Sequence, residues 1–378
     1  MNILVIAPSG MYESYTSSFV HNQARAYVKL GHRVRAVVPL AIAKRSNEGK
    51  RLSAPVEIVQ KDGVEICYVR HLSLSSLGSR HFNARSSSFF VRVFSRQILK
   101  GFSPDVIHAH TIDFGGTVAQ AFRGKCPVPL VITTHGGDTN SALARGDETQ
   151  LKSICDRADA VVACSAVLAN HLRRCGTSTS IQHIYNGFAV ERVQRCPKIP
   201  ERIVQVCNLV PSKHVQLTIQ AVARLREQHP GISLTVIGDG PERPALERLS
   251  AELGLLDAVH FSGCLSNADA MVEMAKAPFF IMPSFPEGFG IVYLEAMASG
   301  CVTVGTEGEG IDGVIVSGEN GFLVPPEDVD GIVRVVERCL QAPEEAAAIA
   351  ERGRQTAMKL TWGNNAAQYL ALFQSLLN

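Results

Sequence analysis

The 378-residue chain has a single tryptophan, no Cys-x-x-Cys pair and no apolar run of 18 residues. Without cysteines at ligand spacing a zinc site is unsupported. The ten cysteines are scattered, and several, such as Cys164 and Cys207, sit inside apolar runs. A small buried residue fits there, and the set reads as reduced thiols of a cytosolic protein. Without a long apolar run no spanning helix is expected. The start, MNILVIAP, lacks a basic segment and is too short in apolar residues for a signal peptide. No short repeat or low-complexity tract occurs, and 46% hydrophobic against 19% charged residues excludes disorder, collagen and a coiled coil.

Acidic residues are missing from a long interval as well. None occurs between Glu65 and Asp105, while Arg70, Arg80, Arg85, Arg92, Arg96 and Lys100 fall there, interleaved with Phe82, Phe89, Phe90 and Phe94. The net charge of +2 therefore conceals two unlike halves. Residues 1–186 hold 22 Lys+Arg against 12 Asp+Glu, and the remainder 15 against 23. The basic interval is read as a surface for anionic lipid over 70–100, the alternative being a solvated helix with its apolar side packed inward. No helix-turn-helix or aromatic-stacking module is visible, so nucleic acid is not an expected partner.

What is present is alternation. Short β-branched runs at 2–7, 33–38, 64–69, 105–109, 129–133, 159–163 and 181–185 are separated by helical patterns, one from about Ser18 to Leu30. A second series runs through 203–209, 233–237, 258–262, 278–282, 301–304 and 321–324. Continuous apolar strands between helices predict parallel sheets covered on both faces, hence two α/β units in tandem, each doubly wound. The polar segment 187–200, with Pro197 and Pro200, reads as the join. The last stretch, TWGNNAAQYLALFQSLL, predicts an amphipathic helix with Tyr369, Leu370 and Phe373 on one stripe.

The most informative segment is PFFIMPSFPEGFGIVYLEAMASG at 278–300. A buried strand runs into a loop carrying Glu287, then into a helix starting near Gly290, with Glu295 eight residues after Glu287. Gly288 and Gly290 allow a close backbone approach. The amides of Phe289, Gly290 and Ile291 would face an anion from a helix N-terminus. One carboxylate for hydroxyls beside amides for phosphate suits a sugar nucleotide; a helix-stabilising glutamate is the plainer alternative. A glycosidase pair of carboxylates has no other support, and GDGPE at 238–242 lacks the dinucleotide fingerprint.

Glu287, seven residues and Glu295, set in PSFPEGFGIVYLEAMASG, resemble the signature of the family-four retaining glycosyltransferases. NLVPSKHVQLTIQAVARL (208–225), LTVIGDGPERPALERLSAELGL (234–255), VHFSGCL (259–265), GENGFLVPPEDVDGI (318–332), IYNGF (184–188), VITTHGGD (131–138), the loop from Pro8 and FVHNQARAYVKLGHRV (19–34) are similar to the family's segments in the same order. The resemblance implies α/β GT-B architecture, two Rossmann-like doubly wound domains facing an interdomain cleft. These would be an acceptor domain, 1–188, with a C-terminal helix 360–378 packing back on it, and a nucleotide-sugar domain, 189–359. It also implies roles for single residues. Glu295 takes the ribose hydroxyls, Glu287 the donor sugar, Lys213 the diphosphate, and the backbone near Cys264 the base. Gly288, Phe289, Gly290 and Ile291 supply the loop amides, and Gly10 lies near the phosphate. His135 lines the cleft, and with Glu287 and Lys213 forms the catalytic set. His110 and Asp138 are acceptor-site candidates. The alternation in DVIHAH is read as sending His108 and His110 to opposite faces, His110 to the cleft and His108 to the core.

Two departures stand out: Asn208 occupies a position where many relatives carry arginine, and His214 a position often taken by glycine. The Asp328-Val329-Asp330 triplet could suggest a metal site, but it opens a helix after Pro325-Pro326 and reads as a cap. The expected activity is therefore a retaining, metal-independent hexosyl transfer without a cofactor. The donor would be a nucleotide sugar, a UDP-sugar first, and the acceptor a glycan or lipid-linked molecule of cell-envelope or polysaccharide biosynthesis. The expected location is the cytoplasm, peripheral on the inner membrane face. A nucleotide-sugar epimerase of similar twin-domain build and a non-catalytic nucleotide-sugar-binding subunit are the alternatives.

Overall fold

The computed structural model describes residues 1–12, 19–42, 54–73 and 79–378. Ser18, most of the loop after Pro8 and residues 74–78 of the basic interval lie outside these. The chain divides into two compact units, Met1–Tyr185 with Trp362–Asn378, and Asn186–Thr361.

In the first unit, β1 (Asn2–Ile6), β2 (Arg33–Ala41), β3 (Val56–Lys61), β4 (Val64–His71), β5 (Val106–His110), β6 (Leu130–Thr134), β7 (Ala160–Ala163) and β8 (Ile181–His183) form one sheet. Its order is β3-β4-β2-β1-β5-β6-β7-β8. Every pair is parallel except β3 with β4. In the second unit, β9 (Arg202–Val206), β10 (Ser233–Ile237), β11 (Val259–Gly263), β12 (Phe279–Ile281), β13 (Val302–Thr306) and β14 (Phe322–Val324) follow the order β11-β10-β9-β12-β13-β14, all parallel. Each sheet is doubly wound, with its order reversing beside β1 in one and β9 in the other.

The apolar runs become strands because both of their faces are covered. Ile3, Leu4, Ile6, Val37, Ile107 and Val131 have no exposed surface in the first sheet, nor do Ile203, Val204, Val236 and Ile281 in the second. Burial of each such side chain contributes about 1.5–3 kcal/mol. The strand reading missed β3. It lies at the sheet edge with only half-buried or exposed residues, Ile58 being 42% exposed. Its signal was the Asp62-Gly63 pair, whose positive φ values of 52° and 79° make the two-residue hairpin turn to β4.

The Trp362–Leu377 helix returns to the first unit. Its inward stripe runs through Ala366, Tyr369, Leu372 and Phe373, while Leu370 is only half-buried. Phe373 meets Tyr27 at 5.9 Å between ring centres, and the Gln23 amide donates to Asn365 Oδ1 at 2.6 Å. Asp328 caps the Val329–Gln341 helix by accepting from the Gly331 amide at 2.8 Å, and Asp330 pairs with Arg224.

Candidate functional site

In a doubly wound sheet, ligands meet the carboxyl ends of strands where the order reverses. In the second unit those ends belong to β9 and β12, and the loops leaving them carry the predicted residues. From β9 the chain passes Asn208, which is exposed, and makes a short turn over Pro211–Lys213. From β12 it enters Met282–Gly290 and then the Ile291–Ala298 helix.

These loops are locked together. The Phe285 amide donates to Ser212 O at 3.0 Å. His214 adopts the left-handed conformation, φ 45°, which explains why glycine suits this position. Its ring compensates by stacking on Phe285 at 3.6 Å while Nε2 donates to Phe285 O at 2.9 Å. Gly238 fixes the neighbouring turn: at φ 134°, a Cβ there would lie 1.8 Å from Cys207 O.

This packing brings Lys213 and Glu287 into a direct ion pair, with side chains 21% and 13% exposed. The Ser284 hydroxyl also donates to Glu287 Oε2 at 3.3 Å, and the Gly288 amide to Oε1 at 3.1 Å. Glu309, which the sequence reading passed over, accepts from the Glu287 amide at 2.5 Å, while Gly310 donates its amide to Glu287 O at 3.1 Å. Burial, together with the nearby Glu287 charge, holds the Glu309 carboxyl above its usual range. Gly290, at φ 75°, forms the N-cap of the following helix. The Tyr293 amide donates to Gly290 O at 3.0 Å, and the amides of Ile291 and Val292 before it have no intrahelical acceptor.

Glu295 has other neighbours. Burial raises its pKa, against a hydrogen bond from Asn267 and the charge of Arg192. Arg192 donates to Asn267 Oδ1 at 2.9 Å. Asn267 opens a helix just after the loop that holds exposed Cys264. One amide thus ties the Cys264 loop to Glu295. Neither Asn267 nor Arg192 carries a motif signal.

In the first unit the histidines correct one expectation. His108 and His110 share a face, as residues two apart on a strand must, and their ring centres lie 4.3 Å apart. His108 is core, as read: Nε2 meets Thr133 Oγ1 at 2.8 Å and Nδ1 meets the Tyr27 hydroxyl at 3.3 Å. His110 is 1% exposed, and its Nδ1 meets His135 Nε2 at 2.9 Å. It contacts the other candidate histidine instead of standing open. His135 Nδ1 is buried without a hydrogen-bond partner among the described residues.

Asp138 is 5% exposed and engages both oxygens. Oδ1 accepts from the Thr134 hydroxyl at 2.7 Å and the His135 amide at 3.2 Å, and Oδ2 from the Ile112 amide at 2.7 Å. It holds the loops after β5 and β6. Gly10 lies exposed in the Ser9–Tyr12 turn after β1, where a Cβ would meet nothing within 4 Å. No fold constraint requires glycine there. Among the described residues no group of His, Cys, Asp and Glu forms a metal cluster, and no helix is long and apolar enough to cross a membrane.

Comparison with known proteins places these features in a family. Residues 190–356 match the group 1 glycosyl transferases and residues 16–192 match glycosyltransferase family 4. The chain is 31% identical to D-inositol 3-phosphate glycosyltransferase of Corynebacterium urealyticum over 76% of its length and 74% of that protein. It is 30% identical to the GDP-mannose-dependent alpha-(1-6)-phosphatidylinositol monomannoside mannosyltransferase of Mycolicibacterium smegmatis over 61% of its length, spanning 65% of that relative. Among solved structures, Anabaena Alr3699/HepE in complex with UDP and glucose superposes with a TM-score of 0.75 at 20% identity, covering all of both chains.

The buried imidazoles set a pH dependence. Burial lowers the pKa of His108 and His135 from 6.5 to about 3. Between those values the unfolded chain binds more protons, so stability falls as pH falls. The melting temperature is expected to drop from pH 6.5 towards 3, and less steeply in His108→Phe. Equal slopes for the two proteins would remove His108 from the account.

Proposed function

The chain belongs to the family-four, group 1 glycosyltransferases, and from that premise we propose that it is a retaining, metal-independent hexosyltransferase using a nucleotide sugar. The observation that carries this reading is the Lys213–Glu287 pair at the reversal point of the second sheet, beside the open amides of the Ile291–Ala298 helix. A diphosphate there meets one cation and a helix N-terminus. Lys213 then stabilises the charge that develops on the leaving nucleoside diphosphate, and Glu287, released from Lys213, accepts hydroxyls of the donor sugar. Glu295 takes the ribose, its carboxylate steadied by Asn267 and Arg192. His135, in the first unit and kept neutral by burial, has Nδ1 left to accept from a hydroxyl of the acceptor. The acceptor oxygen bonds to the anomeric carbon on the face the phosphate leaves. The bond from that carbon to the phosphate oxygen breaks, and the acceptor proton passes to the departing diphosphate. No protein nucleophile and no metal enter this scheme.

UDP-sugars are the first donors to try, given the UDP and glucose bound to Alr3699/HepE; the GDP-mannose named for the mycobacterial relative makes GDP-sugars the second. The acceptor belongs to polysaccharide or glycolipid biosynthesis, in line with the phosphatidylinositol monomannoside in the name of that relative. Lipid contact is assigned to the Ser79–Val93 helix. Ala84, Ser87 and Val91 pack inward, while Phe82, Phe89 and Val93 are 43%, 62% and 55% exposed. Exposed Arg85 and Arg92 lie three residues after Phe82 and Phe89 and so on the same side of the helix. The helix therefore packs inward and also presents a basic aromatic stripe suited to anionic lipid.

Three measurements test this reading. Glu295→Ala should raise the donor KM at least tenfold and Lys213→Ala should lower kcat at least tenfold; unchanged kinetics in both variants would refute the site. Activity should survive exhaustive chelation, and loss that a divalent ion restores would remove the metal-free scheme. Vesicles containing phosphatidylglycerol should float the protein at low salt, whereas Phe89→Ser/Arg92→Glu should stay behind; salt-insensitive or absent flotation would sink the lipid assignment.

A further inference from the structure

The proposed transfer asks one residue to stay still while its partner leaves. Glu287 is paired with Lys213 in this structure, yet the reaction needs Lys213 on the diphosphate. The carboxylate then loses a charge-assisted contact, the stronger kind. It keeps the Ser284 hydroxyl and the Gly288 amide. Transfer depends on placement to within about an ångström, so Glu287 needs a second support at that moment.

The segment after β13 is built to give one. It leaves the sheet at Thr306 and closes on itself. The Gly308 amide donates to Asp312 Oδ2 at 2.8 Å, and the Asp312 amide donates to Glu309 O at 2.8 Å. The Val314 and Ile315 amides donate to Ile311 O at 3.0 and 3.1 Å. Ile311 is fully buried and packs the turn onto the sheet: a Cβ on Gly305 of β13 would lie 2.8 Å from its Cγ2.

The turn so fixed takes hold of Glu287 by its backbone. Glu309 Oε2 accepts the Glu287 amide at 2.5 Å, and the Gly310 amide donates to Glu287 O at 3.1 Å. One turn therefore satisfies both main-chain polar groups of the residue. The approach is close enough to require glycine: a Cβ on Gly310 would lie 2.1 Å from Gly288 O and 2.5 Å from Phe289 Cα. On its other flank the Glu287 loop is tied to the Lys213 turn, through the Phe285 amide on Ser212 O. The loop thus hangs between two supports, and the Glu309 support does not involve the Lys213 turn.

The acceptor in this bracket is an expensive choice for a fold. A neutral oxygen could take the Glu287 amide. The chain instead places a carboxylate there, where burial and the Glu287 charge both disfavour its ionised form. Buried charge is weak support for stability, and groups placed in this way gather at functional sites. The gain is a stronger grip, because a charged acceptor binds an amide more firmly than a neutral one. That grip falls on the Glu287 backbone, whereas the nucleotide is assigned to Lys213, the helix amides and Glu295.

We propose that Glu309 is a positioning residue for the transfer, holding the Glu287 backbone so that the carboxylate stays on the donor sugar once Lys213 has moved to the diphosphate. The assignment rests on the glycosyltransferase reading, and the experiment separates the two. Hydrolysis of UDP-glucose and GDP-mannose is measured with the full chain, alongside the Kd for UDP and GDP and the melting temperature. Glu309→Ala should lower kcat at least tenfold while the nucleoside diphosphate Kd stays within about twofold and the melting temperature is unchanged. A structural role would not produce that split. Glu309→Gln, whose amide oxygen still accepts, should restore kcat to within about threefold of the parent. Should Glu309→Ala fail to fold, Glu309→Asp, whose shorter side chain withdraws the oxygen, takes its place with the same expected split. A parent chain that hydrolyses neither donor overturns the transferase reading. With hydrolysis present, four results overturn the positioning role alone: an unchanged kcat in Glu309→Ala, a parallel loss of kcat and diphosphate affinity, a Glu309→Gln chain as impaired as Glu309→Ala, or failure of both Glu309→Ala and Glu309→Asp to fold.

Discussion

A parallel sheet buried on both faces satisfies its backbone along its length and leaves open polar groups at the strand ends. Everything else in this chain follows from that constraint. Both sheets spend their apolar residues on strands covered from two sides, so chemistry has to collect in the loops. At a reversal point, neighbouring strands send their connections to opposite faces, which opens a crevice between adjacent loops. In the second unit, Lys213 and Glu287 meet from the loops after β9 and β12. In the first, the segment after β5 lines a cavity beside the turn after β1.

The Lys213–Glu287 pair is not explained by stability. Withdrawing two charges from water costs several kcal/mol per ion, and an apolar pair of like volume often serves a fold as well. Here the surrounding framework is devoted to holding it: His214 in a left-handed turn, Phe285 stacked on its ring, and Glu309 on the Glu287 amide. The acidic balance of the second half cannot attract an anion by its overall field. In the proposed reading, anion affinity in that unit comes from Lys213 and local amides, which are short-ranged and so depend on this geometry.

The legible parts of the sequence were those encoded by neighbours in the chain. Continuous apolar runs marked thirteen of the fourteen strands among the described residues, and the glycine-flanked Glu287 loop marked the start of its helix. Strand β3 escaped because an edge strand needs little apolar surface. The pairing of the histidines was misread at the level of strand geometry, since residues two apart share a face. The partners Asn267, Arg192 and Glu309 were invisible for another reason. Each acts on a residue far along the chain, and none belongs to a short motif.

By itself the sequence determined the fold class, the family and the loops that carry the proposed site, because hydrophobic period and motif spacing are local properties. Only the tertiary structure decided that Lys213 pairs with Glu287, that His110 is committed to His135, and that Asp138 is a clamp while Asp113 faces a cavity. Those assignments depend on the distance and direction between side chains from different strands. Strand order and loop packing set them, and no one-dimensional pattern records them.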